Sequence, residues 1–538
     1  MNPGHQFDNA GRAVLQTLRS YGITTVFGIP GTHNLELYRP LAELGIHAVT
    51  TRHEQGAGYA ADGWSQQTGL PGVVITTSGP GLQNAMSAVG TAFCESRPMI
   101  VLSPGVALGD EFSDRGTLHE TKNATAMAGV VAEWSRRVRS ASEAVDAVHD
   151  AFELFRTGRP RPVHIEIPLD VLEAPANVPR EARAAKPAAA PLRGDETALA
   201  SAAAILATST RPVIIAGGGA WQASEEVTAL AELLGAPVLT TLNGKATVDE
   251  RHPLSLGANL RLAAAREVAE GADALVVLGS KLGEAELWVP ALQPRGRVVR
   301  VDISETQLQK NLAADVAVLG HVAAVVPELL RRLSEEWAGE ARQAVMPDLG
   351  ATRAAFAHEL LAGAPATVEL GQRIVDALPE DAIVAGDSSQ IVYLAVANQL
   401  RQSQPHSLLY MPSYATLGYG LPAAIGARLA DPSRAVVTVI GDGALMFCVN
   451  ELATAIEQRL DLTIVCVDNG GYAEIKQNEL DRSITPIGVD LVQPDWVALA
   501  KAFGASGVSV SAEGEVGAAI TEAIAAGGVQ LVHVRSSC

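Results

Sequence analysis

Cysteine is scarce in this chain. Its four residues, Cys94, Cys448, Cys466 and Cys538, show none of the spacings of a metal site. That leaves no basis for a disulfide-stapled scaffold or a zinc module. Three of the four fall in apolar strand or helix patterns, which points to reduced core thiols in a cytoplasmic protein. Positive charge is also short, with 40 Lys and Arg against 59 Asp and Glu and a net charge of −19, so no nucleic-acid partner is expected. The chain lacks any run of about 18 uncharged apolar residues, so no membrane span is expected. The opening MNPGHQFDNAGRAV lacks the basic and apolar regions of a secretory signal.

What the chain has is length and apolar content. At 538 residues, 48% of them hydrophobic, it is too long for one core and suits about three domains. The first segment, 1–172, carries buried-strand patterns at Val26–Pro30, His47–Thr51, Gly72–Thr77, Met99–Leu102 and Val163–Pro168, with helical stretches between them. A Pro- and Ala-rich stretch, 173–193, reads as a linker. The second segment, 194–337, repeats the alternation, with strands expected at Pro212–Ala216, Pro237–Thr240, Ala274–Leu278 and Val298–Val301. A polar, Ala-rich connection, 338–366, leads into the third segment, 367–538. The expected fold class is α/β, with three doubly wound parallel-sheet domains. Gly217-Gly218-Gly219 resembles a dinucleotide loop, but the full G-x-G-x-x-G is missing and a structural role is preferred.

The most specific signal lies in the third segment. One apolar run, Ala435–Ile440, ends in Gly441-Asp442-Gly443, and a second, Leu462–Val467, ends in Asp468-Asn469-Gly470-Gly471. Leu445–Arg459 reads as a helix between them, so both turns fall at the carboxyl edge of neighbouring parallel strands, where open α/β sheets bind ligands. Asn469 follows Asp442 by 27 positions. A carboxylate and an amide side by side there are what an octahedral Mg²⁺ bridging to a diphosphate requires. Either turn alone is also an ordinary use of Gly, Asp and Asn. In the first segment Glu54 opens a Gly/Ala-rich helix start, Glu54–Gly63, whose small residues let backbone approach a ring closely. A glutamate in a first turn also simply complements the helix dipole.

GDG followed after such an interval by Asn resembles the thiamin-diphosphate signature. FGIPGTHNLELY, RHEQGAGYAADGW, TTSGPGLQNAM, LGYGLPAAIGA and GDGALMFCVNELATA together resemble the acetolactate synthase and pyruvate decarboxylase group of thiamin-diphosphate enzymes over nearly the whole chain. The resemblance implies a pyrimidine-binding, a central and a diphosphate-binding domain, in a homodimer or homotetramer whose active sites are shared between subunits. It makes Glu54 the glutamate that holds the aminopyrimidine ring and Leu417 the wedge that bends the cofactor. Asp442, Asn469 and the main-chain carbonyl of Gly471 become the Mg²⁺ ligands. Ala415, Gly441, Gly443, Ala444 and Tyr472 are further expected cofactor contacts. The substrate would be a small 2-oxo acid, decarboxylated to an aldehyde. The alternatives are carboligation of the acetolactate synthase kind and a non-catalytic cofactor-binding relative.

Departures from the acetolactate synthases bear on the substrate. Gly31-Thr32-His33 stands where those enzymes usually have Gly-Gly after the early Pro, and Leu118-His119-Glu120 replaces Phe-Gln-Glu. Gly279-Ser280-Lys281-Leu282 stands where they carry an Arg in the FAD-binding central domain, which counts against FAD. The blocks Arg115–Glu120, Pro30–His33 and Gly471–Lys476 more closely resemble the subgroup of 5-guanidino-2-oxopentanoate decarboxylases. His33 and His119 are candidate catalytic residues, although a lone histidine is more often packed in a core. Glu474 is a third candidate, with three roles open: orienting a proton donor, pairing with a cationic substrate tail, or being a solvated helix charge.

Overall fold

Unbroken aliphatic runs such as Val436–Gly441 and Ala274–Leu278 are buried along nearly their whole length, which requires sheets covered by helices on both faces. The computed structural model describes residues 8–337, 344–512 and 514–536. It contains three six-stranded sheets in which every pairing is parallel.

In the first sheet the strands lie in the order His47–Thr50, Thr25–Gly28, Gly72–Ile75, Met99–Gly105, Val163–Pro168, Trp134–Arg137. The third sheet repeats that topology as Leu408–Leu409, Ile383–Gly386, Val436–Gly441, Leu462–Asp468, Val529–Arg535, Ser506–Ser511. The second sheet runs Val316–Leu319, Arg297–Asp302, Ala274–Leu278, Pro212–Ala216, Val238–Thr240, Ser255–Gly257, the 3-2-1-4-5-6 order of dinucleotide-binding folds. Each sheet reverses its strand order beside its first strand, and the crevice above that reversal is where open sheets take ligands.

The expected strands all form, with ends shifted by a few residues. Three edge strands, Trp134–Arg137, Ser255–Gly257 and Val316–Leu319, lie outside the expected set; each is only three or four residues long, as edge strands often are. The helix expected over Leu445–Arg459 is corrected. It breaks into Asp442–Leu445, a 3₁₀ turn at Val449–Glu451, and Leu452–Glu457. At the break Glu451 turns inward, where its carboxylate accepts the backbone N–H groups of Arg52 and His53 at 3.1–3.2 Å.

The two stretches read as connections are anchored. Arg183 is buried against the first domain, with its guanidinium on Asp8, Gln16 and the Val178 carbonyl at 2.6–2.8 Å. Within 338–366, residues 338–343 lie outside the described residues, and Leu349–Gly363 is a helix capped by Asp348. That helix docks on the central domain, where Glu359 accepts the N–H groups of Ala263 and Ala264 at 2.7 and 2.8 Å.

The first and third domains are clamped by crossing helices, Glu54–Thr68 and Gly420–Ala430. The approach is close enough that a Cβ on Gly426 would lie 1.8 Å from the carbonyl oxygen of Ala60, and one on Gly63 2.0 Å from that of Ala423. Around the crossing, buried Arg97 reaches Asp62, the Tyr419 hydroxyl and the Tyr410 carbonyl.

Candidate functional site

The third sheet reverses between Ile383–Gly386 and Val436–Gly441, and a cleft of about 290 Å³ opens there. Gly441, Asp442, Gly443 and Ala444 line it from one strand end, and Asn469, Gly471, Tyr472 and Glu474 from the next. Parallel pairing of Gly441 with Val467 sets the two ends side by side. The Asp442 carboxyl is buried, and its Oδ2 has no hydrogen-bond partner. Burial, and then the charge of Asp468, push its pKa up to about 6, although the backbone N–H groups of Gly443 and Asn469 work against this. An orphaned carboxylate oxygen near a second acid is chemistry that a bound cation would satisfy.

The donor set suits Mg²⁺, which takes one or two carboxylates and completes its shell with other oxygens. Among the described residues no three His, Cys, Asp or Glu side chains cluster as a metal site. One carboxylate, one amide and one main-chain carbonyl would not register as such a cluster.

Leu417 and Ala415 line the same cleft from the segment before Gly420–Ala430. Ala415 holds a positive φ of 50°, and Leu417 is half-buried against the core. Asp387, which the sequence reading missed, pins this segment. Its Oδ1 accepts the Gly418 N–H at 3.2 Å and its Oδ2 the Gly420 N–H at 2.8 Å. Burial pushes its pKa up to about 6, against the pull of these N–H groups. The signal was present in Gly386-Asp387-Ser388-Ser389, an acid at a strand's carboxyl end.

Glu54, His33 and His119 do not line this cleft and form a second group at the first sheet's reversal. Glu54 is buried at the start of its helix, where it accepts the Asn84 side-chain N–H at 2.9 Å. The His33 and His119 rings meet edge to face at 5.3 Å, and His33 Nδ1 shares a 2.6 Å hydrogen bond with Ser78. Burial, and then His119, hold the pKa of His33 below its usual value. His119 Nδ1 is buried without a partner, and the residue has φ 60°. Sequence proximity could not have paired the two rings.

Glu474 begins the exposed helix Ala473–Asp481 and accepts from Gln390 Nε2 at 2.9 Å and the Tyr393 hydroxyl at 3.2 Å. In the central domain, Gly217-Gly218-Gly219 is occupied by the chain itself. The Gly219 N–H donates to the Gly279 carbonyl at 3.1 Å, and a Cβ on Gly217 would lie 2.3 Å from that same oxygen.

Three family descriptions match in series: thiamine pyrophosphate enzyme, N-terminal TPP binding domain, over 8–127; the central domain, over 199–329; and the C-terminal TPP binding domain, over 391–534. A probable 2-ketoarginine decarboxylase of Pseudomonas aeruginosa is 37% identical, across 98% of this chain and 94% of that protein. The large subunit of acetolactate synthase isozyme 1 of Escherichia coli is 30% identical, across 97% of this chain and 93% of its own length. A probable acetolactate synthase large subunit of Methanocaldococcus jannaschii is 29% identical, across 95% and 89%. With these matches along its length, the chain belongs to the thiamine pyrophosphate enzyme family.

Proposed function

We propose that the protein decarboxylates a 2-oxo acid to an aldehyde, using thiamin diphosphate held through Mg²⁺. The observation that carries this is the buried, unpartnered Asp442 Oδ2 in a cleft also lined by Asn469 and Leu417. Asp442, Asn469 and the Gly471 carbonyl would hold the metal; Ala415, Gly441, Gly443, Ala444 and Tyr472 would contact the cofactor. Thiamin diphosphate supplies the electron sink for loss of CO₂. Leu417 wedges beneath the bound cofactor, Glu54 holds a proton against its pyrimidine ring, and His119 carries a proton near the reacting carbon. The Nδ1 of His119, which has no partner among the described residues, supports that last role, because a ring nitrogen left open can meet a substrate.

Glu54 does not line the cleft that holds Asp442 in the same chain, so we assign each active site to two subunits of a homodimer or homotetramer. Large apolar side chains exposed close in sequence to the site residues support this, among them Leu118, Met446, Phe447 and Ile475. The free thiols Cys94, Cys448 and Cys466 support a cytoplasmic location, and among the described residues no helix is long and apolar enough to cross a membrane. Closure of the Gly217–Gly219 turn by Gly279 supports a central domain without FAD.

The test is a panel of 2-oxo acids, 2-ketoarginine included because of the relative's name, with CO₂ and organic product read by mass. Aldehyde equimolar with CO₂ is expected. A carboligation product with the aldehyde absent would favour the second reading, which the acetolactate synthase relatives support. Bound cofactor without turnover of any acid would leave a non-catalytic relative.

A further inference from the structure

The cofactor cleft does not end at Ala415. Ser388, Tyr393 and Ala415 also border a second cavity, of about 310 Å³, between the central and C-terminal domains. Its far wall includes Leu242, Arg261, Glu286 and Trp288. The volume is at the small end of the ~300–1,000 Å³ range of ligand pockets. It suits the tail of a small molecule whose reacting end lies in the first cleft.

Glu286 makes this cavity unusual. One carboxyl oxygen accepts the Leu242 N–H at 3.0 Å, and among the described residues no cation pairs with it. Burial pushes its pKa up to about 8, against the Leu242 N–H and with a smaller push from Glu95. Some acids here, as Asp387 and Glu451, are held on two backbone N–H groups, and others have cationic partners, as Glu250 has Lys245 at 2.7 Å and Asp62 has Arg97. An acid that lines a cavity without one lacks only the ligand's charge. Glu474, which lines the first cleft, likewise has neutral donors among the described residues, from Gln390, Tyr393 and Asn478.

The cavity has a cation of its own, Arg261, but that group is already engaged. Its Nε donates to Asn398 Oδ1 at 2.8 Å and its Nη2 to the Leu394 carbonyl at 3.0 Å, while the guanidinium lies 4.8 Å from the centre of the Trp288 ring. Arg261 therefore braces Trp288. Trp288 in turn meets Tyr393 edge to face at 6.3 Å, so an aromatic wall leads from the shared rim toward the acid. An anionic tail would have to compete with the Arg261 bonds to Asn398 and Leu394 and would keep Glu286 protonated, whereas a cationic tail would draw Glu286 into its charged form. A neutral tail would leave Glu286 unpaired.

We propose that the second cavity receives the distal cationic group, guanidinium or ammonium, of the 2-oxo acid, with Glu286 as its charge partner and Trp288 and Tyr393 as its walls. This rests on the 2-oxo acid reading above. Glu286 would determine specificity without touching the reacting atoms.

The experiment compares holoenzyme turnover of three 2-oxo acids of matched length whose tails end in guanidinium, ammonium or methyl. Glu286→Gln should lower kcat/KM for the two cationic acids about tenfold to a hundredfold, the factor expected of a charge-assisted hydrogen bond. The loss should appear in KM, and the methyl-ended acid should be turned over as well or better. An unchanged cation-to-methyl ratio, or an equal loss on all three acids, would overturn the proposal. Trp288→Leu, at a half-exposed position, is a second variant for the case in which Glu286→Gln does not fold, and it must also erode the preference for cations. If the wild type turns over no 2-oxo acid, the reading of the reaction fails separately. Calorimetry with 4-guanidinobutanoate then decides the cavity: binding that Glu286→Gln abolishes supports the proposal, and no binding ends it.

Discussion

Asp387 shows how one buried carboxylate can shape a site it does not line. It takes N–H groups from both sides of Tyr419 and so fixes the backbone that presents Leu417. In Asp387→Asn an amide N–H₂ must face one of those donors, which should destabilise the fold by about 1–3 kcal/mol. The pH dependence follows from the sign of the shift. Its pKa is about 6 in the fold against an ordinary value of 3.8, so folding favours the protonated form. The penalty for ionising it is absent below the unfolded value and complete above pH 6. Wild type minus Asp387→Asn stability should therefore fall as pH rises from about 4 to 6, then level off. Thermal melts of both proteins across that window check this, and a flat difference would show that Asp387 does not titrate there.

At the scale of elements, the crossing of Glu54–Thr68 over Gly420–Ala430 does the positioning. The contact brings the start of the first helix beside the Leu417 segment, with Gln55 Nε2 3.4 Å from the Leu417 carbonyl and the Tyr59 hydroxyl 2.9 Å from Thr416 Oγ1. Gly426→Ala would drive a methyl into the Ala60 carbonyl, and the helices must separate. Overpacking of this kind costs about 1–3 kcal/mol, and the movement should also lower cofactor affinity. Gly283→Ala is the control, since its φ is −76° and a Cβ there would meet nothing within 4 Å. Denaturant unfolding of both variants makes the comparison. Equal stability of the two would mean that the crossing yields without cost.

At the scale of the molecule, the question is how Glu54 and Asp442 come to act together. Glu54→Gln alone should lose about 10²–10⁴-fold in rate, as removal of a general acid–base group does. Asp442→Ala alone should lose metal and cofactor binding. In a random mixture of the two, half of the dimers are mixed, and each mixed dimer has one site with both residues intact. Activity near a quarter of wild type, on the order set by that symmetry, should then return on mixing. No recovery after subunit exchange, verified by mass, would place the whole site within one chain.

Much of this was legible because it is local. Asp442 and Asn469 each end an apolar run, and adjacent parallel strands bring such ends together whatever the rest of the chain does. The three α/β segments were readable for the same reason: a strand buried on both faces must be apolar throughout. The Leu445–Arg459 stretch was misjudged because its helical pattern says nothing of Glu451, which turns inward to meet Arg52 and His53 from a distant part of the chain. His33 with His119, Asp387 with Gly418 and Gly420, and Glu286 beside Trp288 and Tyr393 likewise join residues from separate segments. No periodicity records such pairs. The sequence by itself determined the sheets and the chemistry at their edges, since burial and strand direction act over a few residues. Only the tertiary structure decided which edges face one another and which acids are left without a partner, because those depend on how whole domains pack.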